Sequence, residues 1–174
     1  MVRNFLFPTI PTFVFVFAIA NQSLVFAAET KVQEIQQTKV SAKRIQELRE
    51  HAKDNNYSTR YGIFADLSQN SGRKRLFVVN LENNTLIEQA LVTHGHCKED
   101  EEKVRFSNTA ETNCSSEGKY SIGKSYHGIF GLAYKLHGLD KTNSNAFARH
   151  IVLHAHECVY DQTWPNEICE SEGC

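Results

Sequence analysis

The chain has 174 residues and a formal charge of −1, from 19 Lys and Arg against 20 Asp and Glu. That length fits about one domain, and 41% hydrophobic with 22% charged residues is a globular composition, not a disordered one. No basic excess exists to hold a phosphate backbone, so nucleic acid is not an expected partner, and 9 Gly with 3 Pro leave no collagen, linker or low-complexity signature.

After Met1-Val2-Arg3-Asn4, residues 5–28 carry no charge, and the densest apolar run is 13–20. Val25-Phe26-Ala27-Ala28 then supplies small residues where a signal peptidase would cut, just before Glu29. Pro8 and Pro11 would interrupt a membrane helix. Length and flanks predict a cleaved signal peptide over 1–28, ahead of a retained anchor or a buried core segment. The mature protein is then exported to the periplasm or cell wall, with no stable membrane association once the signal is removed. Loss of the signal takes Arg3 with it, leaving 18 basic against 20 acidic side chains, a charge of −2.

Residues 29–56 are rich in Gln, Glu, Lys and Arg, and Ile45, Leu48 and Ala52 recur at helical spacing with Ser41 as a possible cap. One amphipathic helix or two short ones is expected there, against the alternative of a solvated linker. A change of character near residue 57 marks a domain running over 57–174. Residues 61–67 predict a strand, 69–73 a turn, 75–80 the returning strand, 82–84 a second turn and 85–93 a third strand: a β-meander. Residues 106–118 are polar and turn-rich. Short strands follow at 120–123 and 131–137, then a helical turn at 146–150. Residues 151–156 read as a buried strand ending in histidine. The fold class is mainly β, and a monomer is expected.

Five cysteines, Cys97, Cys114, Cys158, Cys169 and Cys174, leave at least one unpaired in an oxidising compartment. Any four allow three connectivities. The arrangement that staples each loop joins Cys97 to Cys114 and Cys158 to Cys169, and leaves Cys174 free. A free thiol in that compartment is a liability unless it has a chemical use.

The chemistry gathers at the end of the chain. Ser171-Glu172-Gly173-Cys174 begins seventeen positions after His154. A thiol with a pKa of about 8.5 is mostly protonated at neutral pH and needs a nearby base or cation to become a nucleophile. A histidine at a strand end can serve, because its pKa lies near the working pH. Gly173 permits a tight turn that brings amide N–H groups to a reacting carbonyl, where they can hold an oxyanion. Ser171 can bond a neighbouring ring or backbone group, or be an ordinary loop hydroxyl.

At these residues the chain resembles the murein L,D-transpeptidase catalytic domains, the YkuD-like family, in its divergent Ser-x-Gly-Cys branch. The family signature is a histidine at a strand end followed by Ser/Thr-His-Gly-Cys. Ile151-Val152-Leu153-His154 matches its first part and Ser171-Glu172-Gly173-Cys174 its second. Phe106-Ser107-Asn108-Thr109, Tyr120-Ser121-Ile122-Gly123 and Tyr134-Lys135-Leu136-His137-Gly138-Leu139 also resemble that branch. The similarity spans roughly two-thirds of the chain, from about Tyr61 to Cys174. It implies an L,D-transpeptidase-like β-sandwich, a cysteine nucleophile and peptidoglycan stem peptides as substrate, with no metal or organic cofactor. Two departures stand out. Glu172 replaces the common histidine, and a carboxylate beside a thiol tends to raise its pKa. The family also continues beyond the cysteine, so the chain reads as truncated at its C-terminus, carrying the site without the elements that hold its loop.

The implied reaction is acyl transfer. Cys174 attacks the L-centre carbonyl of a diamino acid in a tetrapeptide stem and expels D-alanine; an amine or water then resolves the thioester. His154 is preferred as base over His156, which lies on the same strand face and is assigned to substrate binding. His127 is a weaker substrate-contact candidate, and it and His137 also read as surface or packing residues. His94-Gly95-His96-Cys97 is a weak metal motif. A rival class is a zinc module built from His154, His156, Cys158, Cys169 and Cys174; another is a non-catalytic peptidoglycan-binding domain, for which Glu172 is the best argument.

Overall fold

The structure, a computed structural model, describes residues 40–97 and 104–172. The predicted signal peptide lies outside this range, as do Gly173 and Cys174. Ser41 accepts a hydrogen bond from the Arg44 amide at 3.3 Å, which satisfies one of the orphan donors at a helix start. Helix α1, Ala42–Asp54, follows, with His51 and Lys53 in its last turn complementing the helix dipole. Its apolar stripe is narrow: Ile45 and Ala52 are buried and Leu48 is partly so.

That stripe packs on the predicted meander. Strands β1 (Tyr61–Ala65), β2 (Leu76–Asn80) and β3 (Thr85–Ala90) form an antiparallel sheet in that order. The turn between β2 and β3 is set by Asn80, whose Oδ1 accepts from the Glu82 and Asn83 amides at 2.9 and 3.3 Å. Asn84 takes the left-handed conformation, φ 56°, which asparagine tolerates. Val40, Ile45, Phe77, Val79, Leu81 and Leu86 make one core, with Leu48 and Phe64 against it. Gly62 is needed there: a Cβ would meet Leu48 Cδ2 at 2.7 Å and Leu81 Cδ2 at 2.9 Å.

A second antiparallel sheet joins β4 (Tyr120–Gly128), β5 (Gly131–Gly138) and β6 (Val152–His154). Strand β4 extends well beyond the predicted 120–123, because an irregularity between Ile122 and Ser125 absorbs the extra residues and pairing resumes to Gly128. Ile129 and Phe130 turn the hairpin, and Gly131 has φ 81°, a conformation that favours glycine. Pairing sets Tyr126, Ala133 and His154 in one row, and Lys135 and Val152 in another row two residues along β5. Directly opposed residues share a face, as do residues two apart on one strand, so both rows lie on the same side.

The expectation of a buried strand over 151–156 needs correction. Ile151 is buried, but β6 itself contains three half-buried residues, and His156 lies beyond its end. Among the described residues it pairs with β5 alone, and the Val159 amide turns back to the His156 carbonyl at 3.0 Å. The apolar run Ile151-Val152-Leu153 marked the strand correctly but overstated its length and burial.

Polar loops connect the two sheets. Arg149 donates to the Ser107 carbonyl, to Ser116 Oγ at 2.5 Å and to the Cys114 carbonyl at 2.6 Å. Asn143, fully buried, accepts from the Asp140 amide at 2.9 Å and donates to the Lys119 carbonyl at 2.7 Å. Hydrogen bonds from the Lys119 side chain and backbone hold Asp140 below its ordinary carboxylate pKa. These contacts satisfy polar groups that burial would otherwise penalise.

The core assignment has a direct check. Leu81→Ala, at a site 1% exposed, should cost about 2–5 kcal/mol in urea unfolding. Ile87→Ala, at 53% exposure, should stay within about 0.5 kcal/mol of the parent; equal losses would place the core elsewhere.

Candidate active site

A buried polar node lies at the exit of the first sheet. Arg75 is fully buried. Its guanidinium donates to the Gln69 carbonyl at 2.6 Å, the Val92 carbonyl at 2.9 Å and His94 Nδ1 at 2.8 Å. Burial lowers its pKa to about 10, opposed by Glu167 and Asp66, so it remains a cation at neutral pH. Because guanidinium only donates, His94 accepts at Nδ1 and carries its proton on Nε2. Nε2 faces Glu170 Oε1 at 3.8 Å. Burial, and then the neighbouring Arg75 charge, lower the His94 pKa below its ordinary value, against the pull of Glu170 and Glu167.

This node carries the segment that leads to the Ser-x-Gly-Cys motif. The Ser171 amide donates to the His94 carbonyl at 2.8 Å and the His96 amide to the Ser171 carbonyl at 3.0 Å, a parallel bridge between Gly95 and Ser171. Thr93 Oγ1 donates to the Cys169 carbonyl. Upstream, the Ile168 amide donates to buried Ser71 Oγ at 2.9 Å and the Trp164 amide to the Gly72 carbonyl at 2.9 Å. A Cβ on Gly72 would lie 2.0 Å from the Asn166 carbonyl oxygen, so only glycine admits that strap.

Glu172 turns its carboxylate onto the loop opposite. Asn113 Nδ2 donates to Oε2 at 2.7 Å, and His96 Nε2 lies 3.4 Å from the same oxygen and 3.1 Å from the Asn113 amide. Asn113 has φ 55° and Cys97 φ 42°, left-handed conformations held beside the Cys97–Cys114 disulfide. The departure from the common motif is therefore built into a specific contact.

His154 ends β6 and His156 lies just beyond it. His154 Nδ1 is 2.8 Å from the Ala155 carbonyl. A carbonyl only accepts, so Nδ1 carries the proton and Nε2 keeps its lone pair, as a base requires. The Phe130 ring stacks on His154, centroids 4.7 Å apart at 17°, and also meets His156 at 4.9 Å. His156 Nδ1 sits 3.0 Å from Cys158 Sγ. The Cys158–Cys169 disulfide joins this strand exit to the segment holding Ser171 and Glu172.

The same bonds engage several of the atoms named in the metal readings. In the His94-Gly95-His96-Cys97 run, His94 Nδ1 is taken by Arg75 and Cys97 is paired with Cys114. His156, Cys158 and Cys169 bring ligand atoms within 4.8 Å of one another, but the two sulfurs are bonded to each other and carry no thiolate charge. His127 is exposed in β4, and His137 stacks on Phe147 at 4.6 Å. Gly173 and Cys174 fall outside the described residues. Arg75, Phe130 and Asn113 went unrecognised in the sequence, where each is a single residue with no local pattern.

The buried imidazole has a measurable signature. As pH falls, the unfolded chain takes up its His94 proton first, so the native state keeps this stability above about 6.5 and loses it as pH drops toward the folded value. His94→Asn keeps an acceptor for Arg75 but does not titrate. Its urea midpoint should fall less steeply over that window than the parent's, and an identical slope would remove His94 from the account.

The family model for the L,D-transpeptidase catalytic domain matches residues 31–174. Among curated proteins and solved structures, none matches the chain. With two antiparallel sheets and one short helix among the described residues and a match across most of its length, the chain belongs to the L,D-transpeptidase catalytic domain family.

Proposed function

We propose that the protein is an exported cysteine acyltransferase acting on peptidoglycan stem peptides, with residues 1–28 as signal peptide, 29–56 as a helical segment and 57–174 as the catalytic domain. The observation that carries this proposal is the protonation of His154: Nδ1 is committed to the Ala155 carbonyl, and Nε2 is left as the base. The Cys158–Cys169 link supports it, because that bond couples the histidine strand to the segment running into Cys174.

Cys174 gives its proton to His154 Nε2 and attacks the L-centre carbonyl of the diamino acid. The oxyanion that forms is steadied by the Gly173 and Cys174 amides. Collapse breaks the peptide bond, and His154 returns the proton to the departing D-alanine amine. A stem-peptide amine or water then attacks the thioester, with His154 again taking the proton and Cys174 leaving. Ser171 holds the motif segment, and His156 and His127 bind substrate. The enzyme works as a monomer in the periplasm or cell wall.

Mass spectrometry of the full-length protein with disaccharide-tetrapeptide should find an acyl adduct on Cys174 with loss of alanine. His154→Gln should lower kcat/KM by about 10²- to 10⁴-fold. The non-reduced protein should show one alkylatable thiol, lost in Cys174→Ala. No adduct, with murein affinity kept in Cys174→Ala, would favour a binding domain instead.

A further inference from the structure

On the face of the second sheet that carries His154, a groove of about 280 Å3 is lined by Tyr126, Lys135, Phe147, His150, Ile151 and Val152. Lys135 occupies its row with Val152, one pleat from the row of Tyr126, Ala133 and His154. Its ammonium lies over two aromatic faces, 5.1 Å from the Phe147 ring and 5.8 Å from that of Tyr126. His137, two residues along β5, also stacks on the Phe147 ring, centroids 4.6 Å apart at 12°. Among the described residues no carboxylate pairs with Lys135, although Lys43 and Lys119 each have one. Its three N–H donors are therefore available to a ligand, beside aromatic walls that displace part of their hydration.

The spacing selects the ligand. Two residues of strand advance ~6.8 Å, and successive Cα atoms of a peptide are ~3.8 Å apart. A peptide with its scissile carbonyl beside His154 thus brings the carboxylate of the next residue within reach of the Lys135 side chain. We infer that the groove beside His154 is the site for the free carboxylate of the residue expelled in acyl transfer, with Lys135 as its counter-ion and Tyr126 and Phe147 enclosing the small side chain. Lys135 is a specificity-determining residue, because a peptide that continues past this position or ends in an amide offers it no negative charge. This inference rests on the acyl-transfer function above and specifies which end of the donor peptide the site accepts.

Binding separates the two. Disaccharide-tetrapeptide ending in a free acid, and the same compound as its C-terminal amide, are titrated calorimetrically into full-length Cys174→Ala protein. The acid should bind about tenfold more tightly, as one charge-assisted contact at a partly exposed site allows. Adding Lys135→Gln should abolish that difference, and Lys135→Arg should keep it. Because Lys135 is exposed, both variants should melt with the parent. Equal binding of acid and amide, or a preference that survives Lys135→Gln, overturns the carboxylate site alone. If neither compound binds, the peptidoglycan reading fails and this inference falls with it.

Discussion

A guanidinium inside a small β-protein has to find acceptors, and Arg75 finds three: the carbonyls of Gln69 and Val92 and the ring nitrogen of His94. They come from two stretches of chain around the exit of the first sheet, the turn at Gln69 and the run from Val92 to His94. A buried cation left unpaired would cost several kcal/mol, so the two stretches are held together or the residue cannot be buried. The His94 backbone then becomes a fixed edge, and the segment before Cys174 pairs with it through Ser171. The approach to the motif is thus a further consequence of where one arginine sits.

The rest of the site follows from tying polar loops rather than from enlarging the core. Apolar packing is concentrated between α1 and β1–β3, whereas Arg149, Asn143 and Asn108 bond the loops around the second sheet. Asn108 donates to Ser144 Oγ at 3.0 Å and accepts from the Asn145 amide at 2.9 Å. The two disulfides cross-link this loop layer, where hydrophobic burial is least able to do so, and such closures restrict the unfolded chain. One of them reaches from the exit of the histidine strand to the segment before Ser171, so these two stretches are covalently tied.

Aromatic contacts organise the histidine side. Phe130, at the tip of the β4–β5 hairpin, stacks on His154 and touches His156, although its neighbour Ile129 is 93% exposed. The hairpin tip thus contributes ring contacts to two imidazoles more than buried area. At the adjoining groove Phe147 contacts both His137 and the Lys135 ammonium.

The sequence by itself determined the local pieces, because their signals are local. Alternation marked the meander, helical spacing with Ser41 marked α1, and Ile151-Val152-Leu153-His154 with Ser171-Glu172-Gly173-Cys174 marked the family. Contacts between residues far apart in the chain left no such trace. Ile168 meets Ser71 across 97 positions and Thr93 meets Cys169 across 76, in polar loops with no periodicity to read. Tertiary structure alone decided that Arg75 is buried, that Glu172 bonds to Asn113, and that Lys135 shares a face with His154. Each depends on which surfaces the folded backbone brings within a few ångströms, and hydrogen bonds and ring contacts exist only at that range.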